Sequence, residues 1–335
     1  MRESLRQQFK HVQDSKLKEL AEALPDVVKD SKAENTQKKY NRGYDCWRKW
    51  ACNFREVSVL PACSLFVSLF FLSLIQNYVS CSIIDEVHYG IKWVHKISGY
   101  KDPCNSSIVR AVLEAARRLL SVPVKKKEPV TPEVMLSLFM RFGGTHANLS
   151  DLRLLTLCVL GYAGFLRFSE LVGLRRCDFA FEESFMRIFI ERSKTDVYRD
   201  GAWVVIAETL KPTCPVALCK RYFSLAGFSV DGEEYIFRAL TFFSSEGIYK
   251  FRNSSQLSYT RAREIVLSAF ESIGLPKEDY GLHSFRAGGA SAAANSHVSD
   301  RLFKRHGRWK SEKAKDGYIK DNIESLLSVS KSLGI

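Results

Sequence analysis

The chain has 335 residues, with 50 lysines and arginines against 37 acidic residues, a formal charge of +13, and 46% hydrophobic against 26% charged side chains. That length and balance suit about two globular domains and exclude a fibrous or disordered chain. A basic surplus of this size calls for a polyanionic partner, either nucleic acid or an anionic membrane surface.

Nine cysteines (Cys46, Cys52, Cys63, Cys81, Cys104, Cys158, Cys177, Cys214 and Cys219) are scattered with no C-x-x-C pair, so no zinc or other metal site is expected. Their odd number, with an opening Met1-Arg2-Glu3-Ser4 too polar for a signal peptide, fits free thiols in a reducing interior. The apolar run from Leu65 to Ile75 is broken by Ser68 and Ser73. It falls short of the roughly 20 residues that span a bilayer, and it reads as a buried helix rather than a membrane segment.

In chain order, residues 1–30 are polar and mixed in charge, a loosely held helical extension. A clearer helix starts near residues 31–36, with Ser31 or Asn35 as its cap. Tyr40, Tyr44, Trp47, Trp50 and Phe54 follow at three- and four-residue steps, one apolar face of an amphipathic helix. Lys38, Lys39, Arg42, Arg48 and Lys49 form the other face, which is either solvated or in contact with phosphates. Helices over roughly 62–78, 82–98 and 105–120 complete an all-helical domain at 31–121. Residues 122–131, with Lys125, Lys126 and Lys127 among prolines, make a basic extended linker. The three lysines suit nuclear import, a strap along a nucleic-acid backbone, or plain solvation. Thr131 caps the next helix, with Pro132 in its first turn.

The second domain, 132–335, mixes helix and strand. Residues 151–165 are helical, then 185–190 and 203–206 are β-favouring runs joined by a turn-like 195–201, a short antiparallel sheet in an otherwise helical domain. The pattern turns helical again from Ser258. Residues 298–308 form a short basic helix capped by Ser299 and carrying Arg301, Lys304, Arg305 and Arg308. The tail sets Ile319, Ile323, Leu326 and Leu327 at helical spacing, ending at Leu333. Such a stripe packs either on its own domain or on a neighbouring subunit.

Four segments of this domain carry candidate chemistry. Arg167 ends an apolar helix, with Glu170-Leu171 just beyond it and Arg175-Arg176 further on; Lys194 lies where a strand enters its turn; His283 and Arg286 form an H-x-x-R pair; Gly307-Arg308-Trp309 precedes Tyr318. Singly each has a structural reading: a surface charge or helix cap, a polar turn residue, a helix pair, and one packing tyrosine among 13. In this order and at these spacings they resemble the tyrosine recombinase (phage integrase) family. Lys194 follows Arg167 by 27 residues (194 − 167), and Trp309 lies 23 past Arg286 (309 − 286) and 9 before Tyr318 (318 − 309). One departure is Gly164, three residues before the arginine where two is commoner, which bears on the local turn. His306 is poorly placed for the fifth position and reads as a helix or DNA-facing residue.

The resemblance implies a mainly α fold: an all-helical DNA-clamping domain followed by a mixed α+β catalytic domain with a small antiparallel sheet. It implies a site-specific enzyme in which Tyr318 attacks a DNA phosphate to give a 3′-phosphotyrosine. Arg167 and Arg286 would hold the non-bridging oxygens through forked, charge-assisted bonds. Lys194 would protonate the leaving 5′-oxygen. His283 would take or share the tyrosine proton or position the phosphate, Trp309 would donate its indole N–H, and Glu170 would hold a neighbouring cation or histidine. No cofactor is expected, because arginines supply the charge and tyrosine the nucleophile. The implied partner is double-stranded DNA, bound as a homotetramer on two duplexes, with a monomer or weak oligomer when free. The implied location is the nucleus for a eukaryotic source and the cytoplasm otherwise. The alternatives are a DNA-binding protein derived from a recombinase and no longer cleaving, or a type IB topoisomerase, for which the chain lacks a long coiled linker. A membrane-surface protein would explain the charge but none of the spacing.

Overall fold

The computed structural model describes residues 12–123, 125–194, 196, 200–296 and 298–334. The chain divides between residues 124 and 125 into two compact units.

The first unit is helical: α1 (Ser15–Asp30), α2 (Glu34–Ala51), α3 (Ser64–Gln76), α4 (Cys81–Ile97) and α5 (Ser107–Leu120). Asp14 caps α1 by accepting the N–H of Leu17 at 3.0 Å. The expected caps of α2 are corrected: Ser31 closes α1 through its own N–H, Asn35 lies inside α2, and the N-cap is Ala33, with no side-chain bond. Trp47, Phe70, Phe71, Val87 and Ile91 form the core, and the indole of Trp47 donates to the Val59 carbonyl at 3.0 Å. The predicted basic face of α2 stays at the surface and is largely ion-paired. Lys38 meets Glu34 at 2.6 Å and Arg48 meets Asp45 at 3.1 Å, while Arg42 and Lys39 share Glu86. Lys49 is exposed. Exposed pairs of this kind hold little energy.

α2 and α4 cross where two glycines meet the opposite backbone. A Cβ on Gly43 would lie 2.2 Å from the Glu86 carbonyl oxygen, and one on Gly90 would lie 2.5 Å from that of Tyr40. Neither side can yield without separating the helices.

The second unit begins with residues 125–131, which are extended but not a free connector. The N–H of Glu128 donates to Asp279 at 2.7 Å, that of Val130 to Ser284 at 2.9 Å, and Val130 is buried. Lys125 pairs with Asp279 at 2.7 Å and Lys127 donates to the Glu278 carbonyl, whereas Lys126 is exposed. Thr131 caps α6 (Pro132–Phe142), with Pro132 in its first turn. An Asn148–Asp151 capping box opens α7 (Leu149–Ala163), which is buried over most of its length and forms the centre of this unit. α8 (Phe168–Gly173) follows.

A three-stranded antiparallel sheet comes next, β1 (Phe179–Phe181), β2 (Phe185–Ile190) and β3 (Ala202–Ala207), with Ile188 opposite both Phe179 and Val204. Met186, Ile188, Ile190, Val204 and Ile206 alternate inward, the two-residue period of a sheet with one buried face. After α9 (Pro215–Ala226) comes a hairpin that the sequence reading did not anticipate, β4 (Arg238–Phe243) with β5 (Ile248–Gln256). Then follow α10 (Tyr259–Ser272), α11 (His283–Asn295), α12 (Asp300–Gly307), α13 (Glu312–Asp316) and α14 (Ile323–Lys331). Ser299 stands at the N-cap of α12 as expected, but its side chain makes no capping bond. No helix among the described residues is long and apolar enough to cross a membrane.

The crossing of α2 and α4 predicts that Gly43→Ala destabilises the first unit by about 1–3 kcal/mol, the usual penalty for overpacking a close contact. Thermal unfolding followed by circular dichroism should show a Tm lowered by several degrees; an unchanged Tm would contradict the crossing as described.

Candidate active site

The turn that carries Arg167 is built by an unusual backbone. α7 ends at Ala163, Gly164 closes it in ordinary right-handed geometry, and Phe165 adopts φ +47°. The left-handed residue is therefore the one two before the arginine, where the family pattern commonly has glycine and this chain has phenylalanine. That conformation costs about 1–2 kcal/mol for a residue with a Cβ. Here the ring compensates by packing against Phe303, His306 and Trp309 at 5.9, 4.7 and 5.8 Å. The Arg167 N–H donates to Glu170 Oε2 at 2.9 Å, and its Nη1 donates to Oε1 at 2.7 Å.

α11 supplies the next two groups. His283 stands exposed at its start, and Arg286, one turn on, is 0% exposed. Arg286 Nη1 donates to the Phe165 carbonyl and Nη2 to that of Gly307 at 2.8 Å, with Nη1 4.0 Å from Glu170 Oε2. Its guanidinium carbon lies 4.9 Å from the centre of the Trp309 ring and 4.8 Å from that of Tyr318.

The end of α12 brings in the remainder. A Cβ on Gly307 would lie 2.0 Å from the Trp309 ring, so only glycine lets the indole fold back here. Trp309 is 5% exposed and packs on Phe303 at 5.0 Å and Tyr318 at 5.8 Å. Its Nε1, like Nε of Arg286, is a buried donor with no hydrogen-bond partner among the described residues. The segment bearing Tyr318 is tied to α11 by residues that the sequence reading missed. Ser291 Oγ donates to the Tyr318 carbonyl at 3.4 Å and accepts the Lys320 N–H at 2.9 Å, and Asn295 donates to the Lys320 carbonyl at 3.2 Å. Lys315, buried, binds Asp300 and Glu312 and pins α13 to α12. The one signal for the first two was the i, i+4 placement of Ser291 and Asn295 on a single face of α11.

The electrostatics centre on Glu170. Burial pushes its carboxyl upward, but the Arg308 charge, then the Arg167 N–H and guanidinium, outweigh burial and hold it below its ordinary value. Although part of His283 is exposed, the protein packed around its ring desolvates it, and this, followed by the charges of Arg286, Arg167 and Lys194, pulls the imidazole below 6.5, so it is neutral at pH 7. Burial and the nearby Arg167 lower Arg286 against the pull of Glu170 and Tyr318. Lys194 itself is exposed on the turn after β2. Six predicted residues thus form one neighbourhood. Arg286, Trp309 and Tyr318 are in ring contact, Arg167 is joined through Glu170, and His283 and Lys194 are coupled to them by charge.

Comparison with known proteins places this arrangement. No family model matches the sequence. A curated relative, the integrase/recombinase xerD homolog of Selenomonas ruminantium, is 30% identical over 299 residues, covering 87% of this chain and 83% of the relative. The chain belongs to the tyrosine recombinase family. As a member it is a DNA strand-exchange enzyme of the integrase class. Among solved structures, XerH recombinase bound to palindromic difH has a TM-score of 0.61 at 14% identity, covering 89% of this chain and 80% of that one. The Tn1549 transposon integrase in complex with transposon right-end DNA has a TM-score of 0.57 at 15% identity, covering 100% and 99%. A lambda integrase dimer on a core site has a TM-score of 0.55 at 14% identity, covering 87% and 73%. These three share the recombinase fold.

Several residues expected to face DNA do something else in this recombinase. Arg308 is corrected: its side chain is 9% exposed and pairs with Glu170 at 2.9 Å. Arg176 is corrected too: it is 7% exposed, lies over Phe181 and Phe223, and donates to the Phe179 carbonyl at 3.2 Å. His306, read as a helix or DNA-facing residue, lies in α12, half-buried, with its Nε2 bonded to the Ala163 carbonyl at 2.8 Å and its ring packed on Phe165. Arg175 remains partly exposed over Tyr235. Lys304 pairs with Glu312 at 2.5 Å. Arg301 and Arg305 are exposed and, with Lys304, Ser193 and Trp309, line a cavity of about 430 Å³ beside the turn that carries Lys194.

Glu170→Gln should destabilise the second unit by about 3–5 kcal/mol, the cost of breaking a buried charge cluster. The sign follows from linkage. A carboxyl held below 4.5 in the folded state stabilises it fully above the unfolded value and less as pH falls through the folded one. The gap in denaturant stability between wild type and variant should therefore be constant near neutrality and narrow below about pH 4.5; a gap that does not change with pH would refute an ionised Glu170.

Proposed function

We propose that this recombinase cuts and rejoins double-stranded DNA at specific sites through a 3′-phosphotyrosine at Tyr318. The observation that carries the reading is the Arg286 guanidinium packed against both the Trp309 and Tyr318 rings at 4.9 and 4.8 Å, with Arg167 linked to it across Glu170. A scissile phosphate beside Tyr318 would give partners to two of the buried donors that lack them, Arg286 Nε and Trp309 Nε1. Such donors cost about 1–3 kcal/mol each while unpaired. Arg167, half-buried at the rim, adds a third donor group, and this cationic wall stabilises the charge that grows on the non-bridging oxygens.

In the forward step the Tyr318 hydroxyl oxygen bonds to phosphorus, its proton passes to the neutral His283, and the bond from phosphorus to the 5′-oxygen breaks. Lys194 gives that oxygen its proton. The reverse step, with a 5′-hydroxyl from another strand, rejoins the chain without any other energy source, because the phosphodiester is held as a tyrosyl ester.

The exposed basic groups Arg301, Arg305, Lys310 and Arg175 would follow the DNA backbone around the site, with Lys38, Lys39, Arg42, Arg48, Lys49 and Lys126 on their own faces. α14, with no buried residue and with Ile323, Leu326 and Leu327 exposed, would pack on a neighbouring copy in a tetramer holding two duplexes. A lambda integrase tetramer bound to a Holliday junction, TM-score 0.55, is one solved relative in that state.

The test uses a duplex selected by binding from random DNA and then nicked near the cut site. Wild type should form a covalent, protease-sensitive adduct that Tyr318→Phe does not, and native electrophoresis of the same reaction should resolve a complex of two duplexes with four chains. Tight binding with no adduct would mean a protein that holds DNA without cutting it. Relaxation of supercoiled plasmid without sequence preference would mean a topoisomerase. Adduct formation should also fall in acid as His283 gains a proton, with its midpoint below 6.5. His283→Gln should remove that acid limb; a limb that persists in the variant would assign the proton elsewhere.

A further inference from the structure

The most unusual charged side chain of the second unit is Arg308. It has φ +55° at the C-cap of α12, a backbone conformation that suits glycine and that few residues with a Cβ adopt. Its guanidinium turns back into the protein. Nη1 donates to the carbonyls of His306 at 3.0 Å and Gly164 at 3.4 Å, and Nη2 donates to that of Phe165 at 3.2 Å and to Glu170 Oε2 at 2.9 Å. One planar fork thus ties the end of α12, just before Trp309, to the turn that carries Arg167, a reach that lysine cannot reproduce.

We infer that Arg308 is a positioning residue for strand cleavage, acting through Glu170 and the Phe165 carbonyl on the arginines that bind phosphate; this rests on the function proposed above. Glu170 has two cationic neighbours besides Arg308. It bonds Arg167 at 2.7 Å and lies 4.0 Å from Arg286. With Arg308 in place the carboxylate is held on the Arg167 side. Without it, the carboxylate is free to close on Arg286 and neutralise the cation that faces Tyr318. Arg308 also shares the Phe165 carbonyl with Arg286, which fixes the second arginine in the same step. Three guanidiniums against one carboxylate leave a net charge of +2 (3 − 1), suited to a phosphate whose charge rises toward two in the transition state.

The experiment compares wild type, Arg308→Gly and Arg308→Lys on the nicked duplex selected from random DNA, measuring single-turnover adduct formation and DNA affinity separately. Arg308→Gly tolerates the left-handed backbone and removes the side chain, guanidinium included. Cleavage should fall about 100-fold, as for a misplacement of about 1 Å, with affinity nearly unchanged and with rate recovered by low millimolar guanidinium ion. Arg308→Lys should be slower than wild type and should not respond to guanidinium. Wild-type rates in Arg308→Gly overturn the inference, as do equal losses of cleavage and affinity without rescue, which would mark ordinary support of the fold. If Arg308→Gly shows no cooperative melting transition, Arg308→Lys decides: reduced rate at unchanged affinity supports the inference, and a wild-type rate overturns it. Absence of adduct in wild type would instead overturn the proposed function.

Discussion

The carboxylate of Glu170, fully buried beside Arg167, Arg286 and Arg308, is the interaction on which the second unit depends. A buried carboxylate alone would take up a proton. Here the surrounding guanidiniums keep it ionised, and in return it lets three cations stand within one small volume without forcing each other apart. The contacts reach from the turn after α7 to the ends of α11 and α12, with Arg308 lying 138 residues from its carboxylate. No neighbour in sequence could provide that, so the cluster exists only once the unit has folded. It is weak evidence for stability, since an apolar cluster of equal volume can serve as well. Its value lies in fixing which way each guanidinium points.

The same geometry explains what the sequence made legible. Strands β2 and β3 were readable because Met186, Ile188 and Ile190 alternate with outward residues over an unbroken run. Thr131 and Pro132 announced α6 by local capping chemistry, which needs no tertiary partner. The β4–β5 hairpin was not readable. Its inward residues are Leu240 in β4 and Tyr249 and Phe251 in β5, and β5 then runs on through the polar Arg252, Asn253, Ser254 and Ser255, so the alternation is too short to mark a strand. Arg238 there is held over Phe251 at 3.8 Å, an aromatic contact invisible to a hydropathy pattern.

Within the candidate site, the order and spacing of Arg167, Lys194, His283, Arg286, Trp309 and Tyr318 were legible as a pattern. What could not be read was which cations face inward. Arg176 and Arg308 look like Arg301 and Arg305 in a composition of basic residues, yet the first pair is buried and the second exposed. The difference lies in remote partners: Phe223 of α9 lies over Arg176, and Glu170 of α8 binds Arg308. Charge alone predicts surface, and it fails wherever a buried acceptor or ring has been provided elsewhere in the chain.

These failures of local rules are not spread evenly. Of the non-glycine residues with positive φ among those described, Phe165 and Arg308 both lie in this cluster, with Tyr78 in the other unit the third. Buried donors without a partner lie there too, Arg286 Nε, Arg308 Nε and Trp309 Nε1, though others, such as Arg176 Nε and Arg238 Nε, lie elsewhere in the unit. Each is unfavourable by itself, and each would be removed by a glycine or by a smaller or apolar side chain if stability were the only demand. Two of the three such backbone positions thus fall around one phenol, where local rules give way to contacts made across the unit. The left-handed backbone at Phe165 aims its carbonyl at Arg286 and Arg308, so strain held at one residue orients two guanidiniums of the cluster at once, and the Arg286 group is the one that packs on Tyr318.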